Sequence, residues 1–225
     1  MGIGDGLRGY NAQSGNQGRM DLSERTFEMA PPGESVIVVT GLPRSGTSLL
    51  MQMLAAGGVP ILSDGLRVAD EDNPRGYFEY EPVKRLWKDP NWLFEARGKA
   101  IKIVAPLVTA LPEGLACYVI LCERDLDEVL DSQERMLARR NESSTTPEGR
   151  RVLKAEFART LEQARTMLER RPNTRLLAME YRAAISDPFA AAKRLNEFLG
   201  GGLDVAKMAG VVEPALYRNR SAPDR

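Results

Sequence analysis

The stretch Val36-Ile37-Val38-Val39-Thr40-Gly41-Leu42-Pro43-Arg44-Ser45-Gly46-Thr47-Ser48 decides the architecture of this chain. Its first part is a β-branched run that is apolar at odd and even positions alike, the pattern of a strand buried on both faces in a parallel sheet. Gly41 to Gly46 is too rich in turn residues to extend that strand. A helix is predicted from about Thr47, with Leu49, Leu50, Met53 and Leu54 on one face, ending at Gly57-Gly58. A strand, a glycine loop and a helix in this order let backbone N–H groups converge on an anion at the positive end of the helix dipole. Gly41 and Gly46 keep the spacing of a Walker phosphate loop, and Ser48 stands at its terminal Ser/Thr position. Thr47 occupies the lysine position. That lysine reaches the β- and γ-phosphates, so its loss argues against ordinary ATP or GTP hydrolysis. The loop carries its cation at Arg44 instead.

Outward from this unit, Ala30-Pro31-Pro32-Gly33-Glu34 breaks the chain ahead of the first strand. Residues 1–34 therefore read as a flexible N-terminal arm, and 35–225 as a single domain. Further strands are expected at 100–104, 117–122 and 174–179. Between and after them, helices are expected from Asp125 to Arg139, from Pro147 behind an N-cap at Thr146 to about Arg171, and from Pro188 onward. The last should carry Phe189, Ala192, Leu195 and Phe198 on its inner face and close at Gly200-Gly201-Gly202. Alternating strands and helices predict an α/β fold: a three-layer P-loop domain with a central parallel sheet flanked by helices.

Composition narrows the chemistry. The 225 residues hold 31 Lys+Arg and 31 Asp+Glu, a balance that speaks against nucleic acid or an anionic membrane surface as partner. No apolar run reaches the ~20 residues of a membrane span, and the N-terminus lacks a secretory pattern, so a cytoplasmic protein is expected. There is no histidine, which removes Ser-His-Asp hydrolysis, His-ligated zinc and a histidine base. Cys117 and Cys122 sit five apart on one predicted strand, so they point to opposite faces and read as buried thiols. Tyr77, Phe78, Tyr80, Trp87, Trp92 and Phe94 cluster around the turn Asp72 to Gly76. They are either a satellite core beneath a long loop or the wall of an acceptor pocket.

Pro43-Arg44-Ser45-Gly46-Thr47 resembles the 5′-phosphosulfate loop of the sulfotransferases that use 3′-phosphoadenosine 5′-phosphosulfate (PAPS) as donor. Its arginine form is similar to the bacterial and carbohydrate/tyrosyl-protein branches. Other segments resemble the family in the same order. Arg124 and, eight positions later, Ser132 match the pair that grips the donor's 3′-phosphate. Lys102 followed by Pro106 resembles the Lys-Thr-His-x-Pro strand, and Tyr181 to Pro188 resembles the Tyr-Glu-Asp segment. Together these matches span about residues 36 to 199. Val104 falls where the family's common catalytic histidine would be, and Tyr181-Arg182-Ala183 replaces Tyr-Glu-Asp. Leu216 to Arg220 resembles the Arg-Lys-Gly phosphate clamp only faintly, through Arg218.

The resemblance implies that Ser45, Gly46, Thr47 and Ser48 hold the 5′-phosphate, with Arg44 beside the bridging oxygen. It also implies Lys102 on the sulfuryl oxygens and Arg124, Ser132, Tyr181 and Arg218 on the rest of the donor. Arginine does not give up a proton at neutral pH, so Arg44 would act electrostatically. The donor would be PAPS, the product PAP (the desulfated nucleotide), and no metal would be required. The acceptor, a small molecule, carbohydrate, lipid or peptide, must lose a proton, and without histidine a carboxylate is the natural base. Glu79 in Arg75-Gly76-Tyr77-Phe78-Glu79 is the candidate, with Glu81 the runner-up. Two alternatives stand beside this reading: an inactive PAPS/PAP-binding relative and a P-loop nucleotide kinase.

Overall fold

The structure, a computed structural model, describes residues 29–67, 76–139 and 145–213. Strand β1 (Val36–Gly41) is buried along its whole length. It pairs in parallel with β2 (Ala100–Lys102) on one side and β3 (Cys117–Glu123) on the other. Parallel pairing of β3 with β4 (Thr174–Glu180) completes a sheet of order β2-β1-β3-β4. The β-branched run thus sits at the sheet's interior, where both faces are covered.

Side-chain alternation along the strands divides the interior into two cores. Ile37 and Val39 of β1, with Tyr118, Ile120 and Cys122 of β3, pack under α1 (Thr47–Ala56), α4 (Tyr181–Ser186), α5 (Pro188–Phe198) and α6 (Val205–Gly210). Val36, Val38, Cys117 and Val119 face the other way, against α3 (Pro147–Glu169) and the short 3-10 helices at Asn91–Ala96 and Ala105–Ala110. The result is the three-layer α/β arrangement expected from the strand–helix alternation. Cys117 and Cys122 fall in different cores, and burial pushes both thiols up to about 12.

Local chemistry sets the helix ends. Asp125 Oδ1 accepts the Glu128 N–H at 3.0 Å and opens α2 (Leu126–Arg139). Thr146 Oγ1 accepts the Gly149 N–H at 3.1 Å ahead of Pro147, and Asp187 caps α5 through the Ala190 N–H. Gly200, Gly201 and Gly202 all have φ between 82° and 89°, a run that stops α5.

One expectation needs correction. Phe189 is 59% exposed, not inward. The buried stripe of α5 runs through Ala191, Ala192 and Leu195, and at about 100° per residue Phe189 lies off its centre. Leu49 is half-buried, since it packs against the first core and also lines a cleft. The short helices α4 and α6 had no separate sequence signal. The N-terminal arm through residue 28, the turn 72–75 and Arg218 lie outside the described residues. No helix among the described residues is long and apolar enough to cross a membrane.

Candidate functional site

The loop Leu42–Gly46 leaves the C-terminal end of β1 through two left-handed residues. Gly46 has φ 108° and precedes the first turn of α1. A Cβ there would overlap the ring of Tyr181, so glycine is required by space as well as by backbone angle. Arg44 has φ 74°, which costs a non-glycine residue ~1–2 kcal/mol. Partners from α2 and the turn between β3 and α2 hold it there. Arg124 Nη1 donates to the Arg44 carbonyl at 3.0 Å, Arg44 Nε donates to Ser132 Oγ at 3.0 Å, and Gln133 Nε2 donates to the Pro43 carbonyl at 3.2 Å. Thr47 and Ser48 occupy the first turn of α1, whose leading N–H groups have no carbonyl within the helix.

These residues line one cleft of about 480 Å³ above the C-terminal ends of β1, β2 and β3. Arg44, Gly46, Thr47, Ser48, Arg124, Ser132 and Tyr181 form one side, and Lys102 and Glu79 belong to the other. Every described residue proposed for the site from sequence is therefore gathered here except Ser45 and the runner-up base Glu81. Ser45 lies 2% exposed beneath the loop. Its N–H donates to the Leu42 carbonyl at 3.1 Å and its carbonyl accepts from Cys122 Sγ at 3.1 Å. Its Oγ is buried with no hydrogen-bond partner among the described residues. Ser45 shapes the loop from below.

Arg124 is held in place from several sides. Its Nε donates to Glu128 Oε2 at 3.0 Å in a pair whose side chains are 8% and 3% exposed, and its guanidinium lies 4.6 Å from the centre of the Tyr181 ring. Glu128 was not singled out in the sequence, although its place four residues after Arg124 was a readable signal. Burial raises the Tyr181 phenol's pKa, with Arg124 opposing, so the hydroxyl stays protonated at neutral pH.

On the opposite wall Lys102 Nζ donates to the Tyr77 carbonyl and lies 3.9 Å from Glu79 Oε1. Burial pushes the Lys102 ammonium down to about 8; Arg67 adds to the fall and Glu79 opposes it. Glu79 is 31% exposed and accepts from Arg67 Nη1 at 2.6 Å. This carboxylate stands between two cations. Arg67 itself stacks over the Tyr77 ring at 3.4 Å. Glu81 is exposed, pairs with Lys84 at 2.7 Å and does not line the cleft. The two glutamates, indistinguishable by sequence, are separated by the fold. Val104 lines the cleft at the position where the resemblance puts a histidine.

The aromatic cluster divides between its two readings. Tyr77 and Tyr80 line the cleft, while Tyr80 and Trp92 also meet edge to face at 5.2 Å over the second core. Phe78 and Phe94 pack against the cores, and Trp87 is 66% exposed. Arg135, Met136 and Arg139 continue the Ser132 face of α2 along the rim and were missed, because an arginine on an exposed helix carries no signal of its own. Among the described residues no group of three or more Cys, Asp or Glu is placed to hold a metal ion.

No protein-family model matches the chain, and no curated protein does. Among solved structures, the chain is similar to the sulfotransferase domain of the Synechococcus PCC 7002 olefin synthase, at 16% identity, over 87% of this chain and 91% of that one, with a TM-score of 0.49. It is also similar to sulfotransferase STF9 from Mycobacterium avium, at 13% identity, over 84% and 68%, with a TM-score of 0.47. A third is the mouse sulfotransferase SULT7A1 complexed with PAP, at 15% identity, over 87% and 69%, with a TM-score of 0.48.

Proposed function

We propose that this chain is a sulfotransferase that moves the sulfuryl group of PAPS to a hydroxyl or amine acceptor. The observation that carries this reading is the convergence of Arg124 and Ser132 on Arg44. Two residues singled out as a 3′-phosphate pair meet the phosphate loop within hydrogen-bond distance, 80 and 88 positions away in sequence. A plain nucleotide-triphosphate site has no use for that pair and would need the lysine that Thr47 replaces.

In this reading the leading N–H groups of α1 and Ser48 hold the 5′-phosphate, and Arg124 and Ser132 hold the 3′-phosphate. Arg44 lies at the bridging oxygen. An acceptor oxygen attacks sulfur in line as the bond from sulfur to the bridging oxygen breaks. PAP leaves with the electron pair, and the acceptor proton passes to the Glu79 carboxylate. Lys102 neutralises charge on the sulfuryl oxygens as it spreads in the transition state.

Differential melting tests the donor. PAP at ~100-fold over a micromolar Kd should stabilise by about 2.7 kcal/mol, with ADP and GDP giving much less. Equal shifts from PAP and ADP overturn the reading. Turnover of labelled PAPS over an acceptor panel separates an enzyme from a PAP-binding relative.

A further inference from the structure

Resting on the sulfuryl-transfer reading, we infer that the acceptor carries an anionic group, a carboxylate or another oxyanion, near its reacting hydroxyl, and that Arg67 binds it. Arg67 lines the cleft on the Glu79 and Lys102 side, away from Arg44, Arg124 and Ser132, which the donor's phosphates would occupy. Its guanidinium is fixed flat against Tyr77 at 3.4 Å, so little side-chain freedom is left to lose on binding. Among the described residues, its hydrogen bonding is a single contact from Nη1 to Glu79 Oε1 at 2.6 Å. Among the described residues the other N–H groups of the fork have no partner, and the side chain is 37% exposed.

Charge allows it. Glu79 faces two cations, Arg67 at 2.6 Å and Lys102 at 3.9 Å, while Lys84 is paired with Glu81 at 2.7 Å. A neutral acceptor would displace water from the guanidinium and return nothing, which costs free energy. An acceptor oxyanion would accept from the open edge of the fork in the paired geometry that suits arginine. Its hydroxyl would then lie beside Glu79, which the same guanidinium holds. Arg67 would thus set which acceptors enter, while Glu79 takes the proton.

The test uses the full chain and matched acceptors: 4-hydroxyphenylacetate against its methyl ester, and glucuronic acid against glucose. Wild type and Arg67→Gln are compared by kcat/KM, and by melting of the protein–PAP–acceptor complex. The charged member of at least one pair should be preferred at least 10-fold, and should add a melting shift on top of PAP that its neutral partner does not. In Arg67→Gln that preference should collapse toward one while the PAP shift stays. Equal losses on charged and neutral members would reduce Arg67 to a support for Glu79 and overturn the inference. So would the absence of a charge preference in both pairs. Failure of PAP to bind wild type would instead sink the donor reading, an outcome the PAP-only melt reports separately.

Discussion

Removing Glu128 should be among the most damaging single changes to this cleft that leave the donor-facing residues themselves unaltered. Glu128 is 3% exposed and its partner Arg124 is 8% exposed, with 3.0 Å between Nε and Oε2. Glu128→Ala leaves the Arg124 guanidinium buried with its carboxylate gone, a loss of about 3–5 kcal/mol. At ~2–4 °C per kcal/mol for a chain of this size, the melting temperature should fall by roughly 6–20 °C. Glu128→Gln keeps a hydrogen-bond acceptor without the charge and should lose about half as much free energy. The double variant Arg124→Met with Glu128→Leu removes both charges from the same space and should return to within ~1 kcal/mol of wild type. It should nevertheless bind PAP poorly, because the donor to the Arg44 carbonyl has gone and that residue's φ of 74° loses its support. Urea unfolding with and without PAP measures both quantities on the same four proteins. A loss under about 1 kcal/mol in Glu128→Ala, or a double variant no more stable than Glu128→Ala, would refute the buried-pair reasoning.

Burial holds Lys102 near 8, so it loses its charge above that pH. In free enzyme kcat/KM for the donor should fall above about pH 8, and Lys102→Met should remove that limb along with most activity. The stability of the free protein should move oppositely. Between about pH 8 and the ordinary lysine value of ~10.4 the unfolded chain binds more protons at this site than the folded one, so stability rises with pH and the effect is complete once both states are deprotonated. Glu79→Gln should lower kcat by roughly 10²–10⁴-fold with PAP binding unchanged, whereas Glu81→Gln, outside the cleft, should lose little; full activity in Glu79→Gln would remove it as base. Gly46→Ala should cost PAP binding and stability together, because its Cβ meets the Tyr181 ring at φ 108°; a wild-type PAP shift in that variant would show that the loop relaxes.

The sheet and the phosphate loop were legible because local rules and tertiary demand agree there. A β-branched run, glycines at a left-handed turn and a helix with an apolar stripe each require the same layout as the parallel sheet that buries them. The pair Arg124 and Ser132 was legible through the family resemblance, and the fold puts Arg124 just ahead of α2 and Ser132 on it, both beside the loop. The other wall was not. Residues 61–67 and 76–99 contain no long helix or strand, so neither period 2 nor period 3.6 says which side chains face inward. That is why Glu79 and Glu81 could not be separated in sequence, and why Arg67 had no signal at all: its position is set by a ring ten residues away and a carboxylate twelve away.

The same division has a chemical consequence. Under the proposed function, the donor wall would be the one built from regular elements and cross-tied through Arg124, Ser132 and Gln133 to the loop, a geometry suited to one unchanging nucleotide. The acceptor wall is built from short 3-10 turns and extended segments around Tyr77, Glu79 and Arg67, joined by side-chain contacts. Side-chain changes there would alter which hydroxyl enters without moving the phosphates. In this chain the histidine position holds Val104, and a base must come from elsewhere. An aliphatic group there cannot take a proton, but it leaves the strand-end wall apolar and the cations concentrated around Glu79. An acceptor that satisfies both features has an apolar face toward Val104 and Leu107 and an oxyanion toward Arg67. The 4-hydroxyphenylacetate pair tests that combination more directly than the sugar pair.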